Sequence, residues 1–161
     1  MKTLDYIVTL TQTPSPTGYT TDIMNYIKAE IEGFGYEATK TPKGGVLVTV
    51  PGKNDEEHRI LTAHLDTLGA MVRAIKPDGR IKMDLVGGFG YPSIEGENCL
   101  IHCAKNGKTF TGTILMHQTS VHVYRDASTA ERNQTNTEIR LDEKVITADE
   151  VRTLGIEVGD F

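Results

Sequence analysis

The chain has 161 residues, with 17 Lys and Arg against 22 Asp and Glu and a formal net charge of −5. That length allows one average domain or two small ones, and the acidic balance argues against a nucleic-acid partner or an anionic membrane surface, both of which call for a basic patch. Hydrophobic residues at 38% and charged residues at 24% are ordinary globular usage, which excludes wholesale disorder.

No apolar run reaches the ~18 residues needed to span a bilayer. The first ten residues, MKTLDYIVTL, lack an unbroken apolar signal core, so a cytoplasmic location is the default expectation. In chain order, Leu4, Ile7 and Val8 share one helical face, and the Thr13-Pro14-Ser15-Pro16 run must stop that helix. A second helix is predicted to open at Gly18, with Ile23, Ile27 and Ile31 on one face and Gly33 and Gly35 closing it. Three strands are then expected. Tyr36 to Thr41 precedes a Pro-Lys-Gly-Gly turn, and Val46 to Val50 precedes Pro51-Gly52. The apolar run Arg59 to Ala63 reads as a strand buried on both faces, as in a parallel or mixed sheet covered by helices.

Beyond about residue 69 hairpin signals take over. Ala70 to Ile75 and Arg80 to Val86 flank Lys76-Pro77-Asp78-Gly79. Asn98 to Ala104 and Thr109 to Met116 flank Lys105-Asn106-Gly107-Lys108, and Asn-Gly between strands is a strong hairpin signal. Residues 129–137 read as a polar loop. Thr147 and Glu150 form a capping box, Val151 and Leu154 give the short helix its apolar face, and Gly155 ends it. Ile156 to Val158 reads as a strand at the close of the chain. So few later elements are left to complete an α/β sheet that the chain reads as a piece of a longer protein.

Chemistry concentrates in one place. His64-Leu65-Asp66 follows the apolar run 60–63, at the C-terminal end of the predicted strand, where open α/β sheets place their ligands. Two residues apart in a strand, the imidazole and the carboxylate share a face. A His there can ligate a metal while the carboxylate orients the ring. The plainer reading, a His and Asp simply hydrogen-bonded at a strand end, stands beside it. Cys99 and Cys103, four apart in a predicted strand, lie ~13 Å from each other at strand rise, too far for a disulfide. They miss zinc-knuckle spacing and are expected as free, buried or half-buried thiols. His58, His102, His117 and His122 read as surface or packing residues, and the acidic run Asp55-Glu56-Glu57 as a solvated loop tip. Asn133-Gln134-Thr135 matches a glycosylation sequon but carries no weight without secretion. Neither Gly44-Gly45 nor Gly87-Gly88-Phe89-Gly90 has the Lys or following helix of a phosphate loop. No nucleophile elbow or H-E-x-x-H occurs.

The stretch Thr62-Ala-His64-Leu-Asp66-Thr-Leu-Gly69-Ala-Met-Val, then Ile75 to Ile81, then Gly87-Gly88-Phe89, resembles the M42 family of co-catalytic metalloaminopeptidases. These are the glutamyl, deblocking and tetrahedral aminopeptidases, some of them described historically as cellulases or endoglucanases. Pro14 to Tyr19 and Ala148 to Asp160 are similar to further family segments in the same order. The resemblance implies an α/β fold, with residues 1–69 as part of an α/β catalytic domain. Residues 70–161 would then be an inserted, β-rich, PDZ-like dimerisation domain. It implies His64 as ligand to one of two divalent metal ions, zinc or cobalt, and Asp66 as its catalytic partner behind the metal. Thr67-Leu68 departs from the family's usual Glu-Ile at that point. The remaining metal ligands and the general base lie after the inserted domain in the family, so this chain alone is expected to be inactive and to hold no metal stably. Peptides are the implied substrates of the intact enzyme, and homo-oligomers form through the β-rich domain. The alternative reading is a self-associating β module without catalysis. Carbohydrate hydrolysis has only the older family names behind it, because no pair of carboxylates is placed for it.

Overall fold

The computed structural model describes residues 2–54 and 56–161 as two compact units, one ending at Thr67 and one spanning Leu68–Phe161. The fold is mixed α/β.

In the first unit, α1 (Thr3–Gln12) and α2 (Thr21–Gly33) are followed by a two-stranded antiparallel ladder of β1 (Ala38–Lys40) and β2 (Val46–Val48). The diproline run ends α1 as the sequence demands. The second helix begins three residues later than Gly18, which instead takes a left-handed φ of 98° in the turn before it. Ile23 is fully buried, and the Tyr6 hydroxyl donates to Glu30 Oε2 at 2.8 Å, joining the two helices. The apolar face of α1 stays exposed.

The expected strand over 59–63 does not form. Residues 56–64 form no regular element and are exposed, with Ile60 at 86% and Leu61 at 99% of their full accessibility. A strand exists only through its neighbours' hydrogen bonds. The ladder of β1 and β2 is antiparallel and offers this run no partner, so the parallel or mixed sheet expected over 46–63 is absent among the described residues.

The second unit is a five-stranded antiparallel sheet in the order β3-β4-β7-β6-β5. Its strands are β3 (Gly69–Ile75), β4 (Ile81–Val86), β5 (Asn98–His102), β6 (Thr109–Met116) and β7 (Thr137–Leu141). Both hairpins close where the turn residues predict. Lys76 N–H bonds Arg80 O across the first, with Gly79 at φ 77°, and Gly107 takes φ 66° in the second. A bulge between Val72 and Ala74 bends β3. The central strand β7 starts at the last residue of the stretch expected as loop and otherwise lies where no element was predicted; it pairs along its whole length with β6 and at Ile139 with β4. The helix α3 (Ala148–Leu154) carries the predicted capping box and ends at Gly155, whose φ is 101°. Its Val151 packs into the core with Ile81, Met83, Ile101, Ile139 and Ile156.

The expected strand at 156–158 does not form, and the chain turns at Val158 and Gly159. The ladder contacts fall on residues 159–161. Gly159 N–H bonds Val72 O and Val72 N–H bonds Asp160 O, at the β3 bulge. Phe161 and His102 exchange both backbone bonds, at 3.3 and 2.5 Å. Residues 159–161 therefore bridge the two edge strands β3 and β5, and the sheet curls closed on itself. Asp160 is buried at the junction, its carboxylate accepting Ala104 N–H at 2.9 Å and Glu157 N–H at 2.8 Å.

Candidate functional site

The site is assembled by two segments about fifty residues apart in sequence. After α1 the prolines keep the chain extended, and Ser15 and Pro16 are buried. The Ser15 hydroxyl donates to Leu65 O at 3.0 Å, Thr67 N–H donates to Ser15 O at 2.8 Å, and Pro16 forms a single parallel bridge with Thr67. Tyr19 N–H closes a turn onto Pro16 O at 2.7 Å, with Gly18 supplying the positive φ. That turn presents Thr17. Its hydroxyl donates to Asp66 Oδ2 at 2.6 Å, a short bond of the kind an ionised acceptor makes.

His64 and Asp66 meet as their spacing predicts, although no strand carries them. Nδ1 of His64 lies 3.2 Å from Asp66 Oδ1 and 3.2 Å from Asp66 O. A carboxylate and a carbonyl can only accept, so Nδ1 carries the proton and the lone pair of the neutral ring is on Nε2. The His64 side chain is 84% exposed and that of Asp66 39%. The Thr17 hydroxyl does most to hold the Asp66 carboxyl below the ordinary aspartate range. Desolvation opposes it, and a backbone amide and His64 assist.

The donor chemistry fits one arm of a metal site. An imidazole oriented through Nδ1 by a carboxylate, with Nε2 directed elsewhere, is the usual pattern of a histidine metal ligand. Among the described residues no three His, Cys, Asp or Glu side chains stand together in a way that could hold an ion. The other histidines lie apart from this pair. His102 Nδ1 pairs with Thr109 Oγ1 at 3.2 Å, His117 Nδ1 with Asn136 O at 3.2 Å, and His58 and His122 are exposed. Cys99 and Cys103 are free thiols, and burial pushes both up to about 11, with Asp142 adding to the first and Asp160 to the second. Asp55 lies outside the described residues, and Glu56 and Glu57 are exposed.

Two features carry no explicit signal in the sequence reading. Ser15 and Thr17 join the H-x-D segment through hydrogen bonds; the resemblance of Pro14 to Tyr19 to a family segment marks the stretch but gives neither residue a role. Glu138, in β7, is 1% exposed and is held by Lys76 Nζ at 2.8 Å, Arg80 Nη1 at 2.6 Å and Lys82 Nζ at 3.6 Å.

Comparison with known proteins adds the family. The family model described as M42 glutamyl aminopeptidase matches residues 44–161. The protein named "Putative aminopeptidase YhfE" of Bacillus subtilis (strain 168) is 57% identical over 160 residues, which is 99% of this chain and 46% of that protein. Among solved structures, the TET aminopeptidase of the marine sediment archaeon Thaumarchaeota archaeon SCGC AB-539-E09 superposes with a TM-score of 0.85 at 19% identity, over 98% of this chain and 42% of its own. The Pyrococcus horikoshii TET1 peptidase, described as assembling into a tetrahedron or a large octahedral shell, superposes at 0.78 with 22% identity, over 99% of this chain and 46% of its own. At such identities these structures speak to the fold. The chain spans about half the length of the curated relatives it matches.

Proposed function

Because the chain belongs to the M42 glutamyl aminopeptidase family, we propose that it is the part of a two-metal aminopeptidase that contributes one metal-binding histidine and a self-associating β module. The observation that carries this is the His64–Asp66 pair, with Nδ1 tied to the carboxylate and Nε2 left with its lone pair. In this reading residues 1–69 belong to the α/β catalytic domain, and residues 70–161 form the inserted dimerisation domain. His64 ligates a divalent ion, zinc or cobalt, and Asp66 fixes the tautomer and raises the basicity of the ring. When bound, the ions supply Lewis acidity and an activated water for cleaving the N-terminal residue of a peptide.

This chain's own part is to hold the ligand. The Ser15 and Thr67 bonds align the two segments, Thr17 and Asp66 set the ring, and the exposed imidazole meets the ion. A catalytic zinc takes about three protein ligands, so the 161 residues alone neither retain metal nor turn over substrate. The exposed apolar run with Ile60 and Leu61 is the edge on which the rest of the catalytic sheet would build. No helix among the described residues is long and apolar enough to cross a membrane.

The test is a chimera in which these 161 residues replace the matching portion of the Bacillus subtilis relative. The chimera should release p-nitroaniline from leucyl- or glutamyl-p-nitroanilide in a chelator-sensitive way, while the 161-residue chain should not. A folded chimera whose turnover ignores chelator contradicts the reading. The second reading, a β module whose business is assembly alone, is favoured by one observation: its sheet is closed by its own residues 159–161. Such a module would self-associate and leave the chimera inactive.

A further inference from the structure

An imidazole as exposed as that of His64 is not positioned by packing, because few neighbouring atoms surround it. Its orientation rests on polar contacts, and Nδ1 makes two of them, both to Asp66. The aspartate is itself loose by nature, since rotation about its terminal torsion is broad and nearly two-fold. Something must hold the carboxylate with Oδ1 toward the ring. The structure brings one side chain to the other oxygen: Thr17, whose hydroxyl reaches Oδ2 at 2.6 Å.

Thr17 is unusually well placed to do this. It sits between Pro16, whose ring fixes φ and which bridges Thr67, and Gly18, whose positive φ turns the chain back. On either side of the bridge the Ser15 hydroxyl holds Leu65 O, and Thr67 N–H holds Ser15 O. The Pro16–Thr67 bridge, which includes the Thr67 N–H to Ser15 O bond, and the Ser15 hydroxyl on Leu65 O thus align residues 15–17 with residues 65–67, and the Thr17 hydroxyl is presented from a fixed base. A hydroxyl on an ionised carboxylate makes one of the stronger neutral-to-charged hydrogen bonds.

We propose that Thr17 is a positioning residue for His64. By pinning Asp66 Oδ2 it turns Oδ1 to receive the Nδ1 proton, and so keeps the lone pair on Nε2 where a metal ion would take it. The purpose rests on the reading of His64 as a ligand. The tautomer itself does not, and it can be measured with no metal present.

The experiment is nitrogen-15 NMR of the 161-residue chain at about pH 8.5, where a free imidazole is neutral. Wild type should show His64 mainly as the Nδ1–H tautomer. Thr17→Val should lower the ratio of Nδ1–H to Nε2–H by about threefold or more, the scale of one net hydrogen bond. Thr17→Ser should keep the wild-type ratio. Slow exchange of Thr67 N–H in each variant reports that the Ser15–Thr67 alignment is intact. A wild-type ring mainly protonated on Nε2 overturns the proposal, and so does an unchanged ratio in a folded Thr17→Val. Should the valine variant lose the alignment, Thr17→Ser decides, since loss of the Nδ1–H form there contradicts the role of the hydroxyl. A chimera without chelator-sensitive turnover would sink the functional reading while leaving the tautomer result standing, so the two failures are distinguishable.

Discussion

Glu138 shows how a single residue can be structural and ionised at once. Its burial would raise its pKa, but hydrogen bonds from Lys76 and Arg80 outweigh that and hold the carboxyl below the ordinary glutamate range. A folded pKa below the unfolded one means a stabilising contribution that is complete above the unfolded value of about 4.3 and lost as pH falls through the folded value. Urea unfolding followed across the acid range should therefore lose stability as pH drops below about 4, and Glu138→Gln should flatten that limb. At neutral pH Glu138→Leu should cost about 2–3 kcal/mol. That is below the usual cost of breaking a buried pair, because Lys76 and Arg80 can turn toward solvent. A variant as stable as wild type would show that water solvates Lys76 and Arg80 as well as the Glu138 carboxylate does. The thiols make a second residue-scale prediction. With both held up to about 11, the reactive thiolate is scarce at neutral pH. Iodoacetamide should modify Cys99 and Cys103 appreciably only once the chain is unfolded, and rapid labelling of the native protein would contradict their burial.

At the scale of elements, the contacts that matter are those between neighbouring strands. Gly112 in β6 lies where β7 comes closest. A Cβ there would sit 2.8 Å from Arg140 O and 2.8 Å from Ile139 Cγ2. Gly112→Ala should force the central ladder apart, cost about 1–3 kcal/mol and lower Tm, and an unchanged Tm would show that β6 and β7 have room to shift. The two hairpins and the capped helix α3 were legible in the sequence because their signals are local: a Pro-Asp-Gly or Asn-Gly turn and a Thr-x-x-Glu box act within a few residues. The strand β7 was not. Its Thr-Glu-Ile-Arg-Leu pattern follows a polar tract and places a charged residue at a buried position, so nothing in it announces a central strand. The run 59–63 failed in the opposite sense. Its apolar residues signal burial, but burial and strand pairing are supplied by other elements, and the ladder of β1 and β2 supplies neither. Of the site, the His64–Asp66 contact could be read from spacing alone. The contributions of Ser15 and Thr17 could not, because they arise from pairing between segments some fifty residues apart.

For the whole molecule, membership of the M42 family joins features that would otherwise be unrelated: an exposed, oriented imidazole, an uncovered apolar edge, and a hairpin-rich sheet closed by its last three residues. In the proposed reading the first two belong to a catalytic domain and the third to an assembly domain. Sedimentation of the 161-residue chain should then show concentration-dependent dimers, and a strict monomer at every concentration would count against the assembly role. The most direct test of the central claim is the metal content of the chimera with the Bacillus subtilis relative, with and without His64. The intact chimera should hold about two divalent ions per chain, as two-metal hydrolases do. His64→Ala should lose about one of them and most of the turnover. A His64→Ala chimera that keeps its full metal content and activity would show that this imidazole is not a ligand.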